Sequence, residues 1–206
     1  MRVDRPGPGE ELNPGEESPA RPAASLIVLR DSPEGPEVLL VQRNPDARFM
    51  GGAWVFPGGA VDEGDGGPDG AALREAQEEA GLRLPGTDSL VPFSRWITPS
   101  EVKIRFDTWF FVAEAPADAE VTCDGQECVD HRWIRPVDAL AAYSREEMLL
   151  VFPTIKHLEA LAEFRSVDAA LEDGRSRQVE PVQPRVVMKG DHAAVLLPGE
   201  PGYDEA

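Results

Sequence analysis

The sequence predicts an α+β fold, with a mixed sheet packed between helices as a three-layer sandwich. Three observations carry this expectation. Runs of β-branched and aromatic residues recur at strand length, one alanine- and glutamate-rich helix stands among them, and further helical segments gather towards the carboxyl end. The first apolar run, "AASLIVLR" (23–30), reads as a buried strand, and "VLLVQR" (38–43) pairs with it as a hairpin across "DSPEGPE". "GGAWVFPGG" is a brief extended piece between glycines. A helix follows, with Pro68 and Asp69 at its start, Asp69 as the N-cap, and Gly81 as its left-handed stop. "LVPFSRWITP", "IRFDTWFFVAEA" and "CVDHRWI" are strands. "PVDALAAYS" is a helix opened by Pro136, and "REEMLLVFPTIKHLEALAEF" continues helically with a break at Phe152-Pro153. "RVVMKGDHAAVLLPG" reads as a hairpin turning at Gly190-Asp191.

Composition bounds the function. The chain has 206 residues, enough for a core without disulfide staples. Residues 1–22 are rich in Pro, Gly and Glu and read as a disordered tail, leaving residues 23–206 as a single domain. Twenty basic residues stand against 38 acidic ones, a net charge of −18. That balance argues against nucleic acid as a partner, because such binding draws on basic patches. A small anionic substrate stays compatible, since a metal ion or a few arginines can reverse the sign inside a cleft. Cys123 and Cys128 read as free thiols. No apolar run reaches the roughly 18 residues of a membrane span, and the amino terminus has no apolar signal region. The chain reads as cytoplasmic, with no membrane partner.

The helix from Pro68 to Ala80 poses a physical question. At about 100° per residue, Glu75, Glu78 and Glu79 share one sector, while Ala72, Leu73, Ala76 and Ala80 form the adjoining core face. Like charges at i,i+3 and i,i+4 each cost roughly 0.2–0.5 kcal/mol. Two readings fit. One is a solvated acidic face, as other glutamate pairs at Glu10-Glu11, Glu16-Glu17 and Glu146-Glu147 suggest. The other is a site for Mg²⁺ or Mn²⁺, for which carboxylates are suitable hard ligands.

The stretch resembles the signature of the Nudix hydrolase superfamily. Gly59 supplies its first glycine, and "REAQEEAGL" matches its second half through Arg74, Glu75, Ala76, Glu78, Glu79, Gly81 and Leu82. Asp65 stands where the signature has its first Glu, and eight residues rather than seven precede Arg74. The resemblance implies a Nudix-type α/β/α sandwich with a loop-helix-loop metal site, and hydrolysis of a nucleoside diphosphate derivative. It also implies roles. Glu78 and Glu79 are the principal metal ligands and Glu75 supports them; Gly59 allows a tight loop and offers a backbone ligand; Asp65 is a further candidate ligand; Arg74 orients a glutamate. Glu78 is a candidate catalytic base. From later loops, Glu127 is the first candidate for that base and Glu101 the second. A homodimer is compatible with the family, although no residue marks an interface.

The preceding segment, "LLVQRNPDARFMGGAWVFPGG", resembles the motif of the coenzyme A diphosphatase branch. The spacing holds through Leu39, Leu40, Arg43, Arg48, Gly52, Phe56, Pro57, Gly58 and Gly59, with Val41 and Asn44 as departures. "RWITP", "RFDTWFF" and the "FPT" at Phe152 also look like that branch. Coenzyme A carries a 3′-phosphate besides its diphosphate, and Arg43 and Arg48 are the candidate contacts for such charge. The resemblance therefore implies cleavage of CoA or acyl-CoA into adenosine 3′,5′-bisphosphate and a phosphopantetheine. An ADP-ribose or NADH pyrophosphatase is the alternative enzyme, and a non-catalytic nucleotide-binding regulator is the alternative of another class.

Overall fold

The computed structural model describes residues 12–13, 17–47, 49–189 and 192–204. Its centre is β1 (Arg21–Arg30), buried from Ala23 to Leu29. Alternate side chains of this strand feed two cores. Ile27 and Leu29 enter one, while Ala24, Leu26 and Val28 enter the other. The same alternation runs through β2 (Glu37–Arg43), where Val38 and Leu40 oppose Leu39 and Val41. A strand buried on both faces needs a helical layer on each.

One edge of β1 pairs in parallel with β6 (Phe106–Glu114) along almost its whole length. The other edge is shared. β2 pairs with its end at Leu29 and Arg30, and β4 (Gly58–Ala60) pairs with Ala23, Ala24 and Ser25. The main sheet runs β3 (Trp54–Val55), β2, β1, β6, β5 (Val91–Ile97) and β8 (Pro181–Val182), with β7 (Cys128–Ile134) on β2. The β1–β6 and β5–β8 pairs are parallel and the others antiparallel, so the sheet is mixed. β9 (Arg185–Lys189) and β10 (His192–Leu196) form a separate antiparallel pair. The turn expected at Gly190-Asp191 lies outside the described residues.

Helix α1 (Pro68–Ala80) covers one face with Ala71, Ala72, Ala76 and Ala80. Helices α2 (Pro136–Ser144), α3 (Phe152–Leu161) and α4 (Val167–Ser176) cover the other. The expected α/β/α sandwich is what forms.

Several local expectations are corrected. Gly67 rather than Asp69 is the N-cap of α1, with Pro68 inside the first turn and Asp69 following it. Proline lacks the N–H that the first turn leaves unused, and an acid there favours the helix dipole. Residues 145–151 are not helical. Glu146 has φ 63°, which stops α2, and Leu150 pairs with Trp54 while Trp54 N–H donates to Leu149 O at 2.9 Å. Helix α4 was not foreseen, although Ser166 caps it by accepting from Ala169 N–H at 3.2 Å. Order also reaches past the boundary set at residue 23. β1 begins at Arg21, Leu12 bridges Val102, and the buried Arg105 donates to Glu17 Oε1 and Ser18 O at 2.5 and 2.6 Å. Residues 1–11 and 14–16 of the expected tail lie outside the described residues. Among the described residues, no helix is long and apolar enough to cross a membrane.

His157 on α3 is a polar residue sealed in the helical-side core. It lies against the rings of Phe56, Phe93, Trp96 and Phe110. Its Nδ1 lies 2.6 Å from Pro153 O and its Nε2 2.5 Å from Ser94 Oγ. The carbonyl accepts only, so the neutral tautomer carries its proton on Nδ1 and takes one from Ser94. Burial pushes its pKa down to about 4. The unfolded chain binds this proton near pH 6.5, so stability present above that pH is lost as pH falls towards 4. Between pH 7.5 and pH 5, urea unfolding of the wild type should lose about 2 kcal/mol more than that of His157→Phe. Equal losses would show that His157 does not drive the acid sensitivity.

Candidate active site

The split between β2 and β4 brings a glycine pair against the acidic side of α1. Gly58 N–H donates to Glu79 Oε2 at 2.9 Å. Glu79 is 2% exposed, and burial pushes its pKa up to about 7 despite that hydrogen bond. Glu75 is also buried, and desolvation raises its pKa against the pull of Arg74. Glu78 differs, since its side chain is 60% exposed. The three carboxylates thus form a gradient from core to solvent rather than a uniformly solvated row.

Arg74 ties the loop to the helix. Its Nη1 donates to Glu75 Oε1 at 2.8 Å and to Glu78 Oε2 at 2.9 Å. Its Nε and Nη2 grip Asp65 Oδ1 and Oδ2 at 2.8 and 3.0 Å, and Nη2 also reaches Ala60 O at 2.9 Å. One guanidinium therefore fixes the helix, the strand end and the intervening loop.

Asp65 was expected among the metal ligands, and its geometry points elsewhere. Both its oxygens are held by Arg74, and Oδ2 also accepts Asp62 N–H at 2.7 Å. The Arg74 bond holds its pKa below the usual carboxylate range. The extra residue after Asp65 is absorbed in the Gly66-Gly67 turn before Pro68. Gly59 is not needed for a tight turn, because its φ is unexceptional. A Cβ there would overlap the Glu75 carboxylate, which would have to shift from its bond to Arg74.

A cavity of about 1020 Å³ opens beside these groups and is lined by Gly58, Gly59, Glu75, Arg43 and Glu127. Arg43 Nε is buried and has no hydrogen-bond partner among the described residues. A buried guanidinium N–H without a partner carries a desolvation cost that an anion can remove. Glu127 shares the cavity with Glu75 and raises its pKa by charge repulsion. Glu101 does not line it. Its carboxylate accepts from Ser100 Oγ at 3.0 Å and from Val186 N–H at 3.2 Å, so it works as a tether. Arg48 lies outside the described residues. Two neighbours of Glu79 were missed in the sequence, namely Gly58 N–H and the buried Cys128, whose thiol Glu79 helps to hold protonated. The shared face of α1 marks its carboxylates, but nothing in the sequence marks what they touch across the fold.

Among the described residues, no three acidic, His or Cys side chains converge as a ready-made metal cluster, with Arg74 seated between Glu75 and Glu78. The donor set nevertheless suits a hard divalent ion: carboxylates at graded depth and a backbone brought close by the glycine at 59.

The sequence matches the NUDIX domain family over residues 19–154, a span that includes every site residue above. The chain belongs to the Nudix family. A nudix hydrolase of Caenorhabditis elegans is 25% identical over 221 aligned residues, covering 89% of this chain and 74% of that protein. The Nudix hydrolase NudL of Klebsiella aerogenes is 42% identical over 88 residues, 38% of this chain and 71% of that protein. The crystal structure of a Nudix hydrolase from Alicyclobacillus acidocaldarius superposes with a TM-score of 0.68 at 27% identity, over 75% of this chain and 96% of the other. This Nudix chain is accordingly an enzyme, a pyrophosphohydrolase acting on nucleoside diphosphate derivatives. Nudix hydrolases use divalent metal ions, and the site here has the donors for one.

Proposed function

We propose that this Nudix enzyme cleaves the diphosphate of coenzyme A or acyl-CoA, giving adenosine 3′,5′-bisphosphate and a phosphopantetheine. The observation that carries the reading is Arg43, a residue of the cavity wall whose Nε is buried and unpartnered. It stands at the arginine position of the CoA-type motif that runs into Gly59. Glu78, Glu79 and Glu75 would hold Mg²⁺ or Mn²⁺, with the Gly59 carbonyl as a candidate backbone ligand. Bound there, the ion supplies the positive charge that offsets the diphosphate and acidifies water. Arg74 keeps Glu75 and Glu78 in position and is itself braced by Asp65. Glu127, at the cavity edge, takes the proton of the attacking water, and Arg43 orients the anionic substrate. Two free cysteines suit a reducing, cytoplasmic setting.

The test is product analysis by mass spectrometry with Mg²⁺ or Mn²⁺ and a panel of CoA, acyl-CoA, ADP-ribose, NADH and diadenosine polyphosphates. Adenosine 3′,5′-bisphosphate should appear from the CoA forms. Turnover of ADP-ribose or NADH alone would discard CoA, and silence across the panel would favour a binding module. Arg43→Ala should raise KM for CoA by roughly 10- to 100-fold, the worth of a charge-assisted hydrogen bond. An unchanged KM would remove Arg43 from the substrate.

A further inference from the structure

The cavity that carries Glu75 and Glu127 extends well beyond a diphosphate. From β4 it crosses β1 and β6 to β5, and its far wall includes Trp96, Val102, Phe106, Phe152, Val186 and Val195. Among the described residues, the charged ones lining the cavity are Arg21, Arg43, Glu75, Glu127 and Glu146. None of them comes from β5, the 98–102 connection, α3 or the β9–β10 hairpin. Those four elements contribute a mostly apolar surface, interrupted by Thr98 and Thr154, to a space continuous with the carboxylates.

The hairpin is a built part of that wall. Val186 N–H is bound to Glu101, Tyr203 Oη donates to Gln183 O at 2.6 Å, and Arg185 Nη1 donates to Tyr203 O at 3.0 Å. These bonds fix the hairpin at both its base and its flank, so Val186 and Val195 face the cavity from an anchored element. An adenine ring is a poor occupant here. Its amine and ring nitrogens need several partners, and the polar side chains that these elements bring to the cavity are Trp96, Thr98 and Thr154, of which Thr98 Oγ1 already accepts from Phe106 N–H. A saturated chain needs none, and its burial is favourable.

We propose that this wall holds the acyl chain of an acyl-CoA, with Val186 and Val195 setting the preference for chain length. The inference rests on the CoA reading above and adds that the acylated form, rather than free CoA, is the better ligand. Each methylene buried against the wall should tighten binding by about fourfold when fully desolvated.

Titration calorimetry in EDTA tests this on the intact chain, using CoA, acetyl-CoA and octanoyl-CoA, with turnover in Mg²⁺ measured in parallel. Octanoyl-CoA should bind at least about 30-fold more tightly than acetyl-CoA, allowing for partial burial of six methylenes. Val186→Asp and Val195→Asp each put a charge on the wall from a half-buried hairpin position. Each should cut that preference, read as the ratio of the two affinities on the same variant, to below about threefold. Two substitutions on different strands guard against a single misfolded variant, and melting curves identify one. Equal affinity for acetyl- and octanoyl-CoA, with both hydrolysed, would overturn the acyl site and leave the diphosphatase reading standing. A length preference that survives both substitutions would move the acyl chain off the hairpin and overturn the proposal as stated. Failure to hydrolyse any of the three in Mg²⁺, with ADP-ribose hydrolysed, would overturn the CoA reading and the acyl site with it.

Discussion

Glu78→Gln should lower metal-dependent turnover by at least about 100-fold while moving the melting temperature in EDTA by no more than about 2 °C. The two halves of this expectation come from one observation. The Glu78 side chain is largely exposed, and its bond is to Arg74 Nη1 at 2.9 Å, a nitrogen that Glu75 also shares. An exposed ion pair of this kind contributes little to stability, and Arg74 keeps its grip on Asp65 and Glu75 without it. What the substitution removes is one anionic oxygen from the carboxylates proposed to hold the cation that offsets charge during phosphoryl transfer. A matched control exists in the same chain. Glu147 belongs to another glutamate pair, is exposed and pairs with Arg145, so Glu147→Gln should leave activity and stability alone. Steady-state turnover and melting curves on the three proteins decide the matter. A folded Glu78→Gln variant with wild-type turnover would take Glu78 out of the site.

Much of this was legible because the decisive residues lie on one helix. The 100° step sorts α1 into an alanine face and an acidic face, and the sheet face is met by Ala71, Ala72, Ala76 and Ala80. Gly81 ends it with φ 68° as a left-handed cap should. The strands were legible for a similar reason, since "LIVL" and "VLLV" are buried on both faces and read as continuous apolar runs. Position along the helix did not reveal depth. Glu75 and Glu79 are buried and Glu78 is not, because depth depends on Gly58 and Gly59 arriving from β4, some twenty residues away.

The misses share that origin. "MLLV" at 148–151 continues a helical pattern, but pairing with Trp54 and the left-handed Glu146 draw it out of the helix. Gly174 stands inside α4. In the fold it lets the helix approach β5, where a Cβ would come within 2.9 Å of Val91 Cγ1. Glu101 was the second candidate for a base from a later loop, and the fold engages both its oxygens, one by the adjacent Ser100 and the other by Val186 of the hairpin. Each case is a tertiary contact overriding a local signal.

Glu79→Gln should make the metal-free protein more stable at pH 8 and the metal-loaded protein less so. Burial raises the folded pKa of Glu79 to about 7, above the value near 4.5 of an unperturbed glutamate. Between those two values the folded state keeps a proton that the unfolded chain has released. Stability from this group is therefore complete below about pH 4.5 and is lost as pH rises through about 7. Glutamine does not titrate, and its side-chain oxygen can still accept from Gly58 N–H, so the variant escapes that loss. In EDTA the two proteins should melt together near pH 4.5, and the variant should melt several degrees higher at pH 8. Mg²⁺ should reverse the order. The ion binds the folded wild type and stabilises it by mass action, whereas the variant has lost a deep ligand and gains little. Two pH values with and without Mg²⁺ make four conditions, and each arm reads a different claim. If Mg²⁺ raises both melting temperatures equally, Glu79 is not a ligand. If the metal-free proteins show no gap at pH 8, burial is not straining the carboxylate. A crossing of the two would show that this buried acid destabilises the empty site and is retained for the ion that fills it.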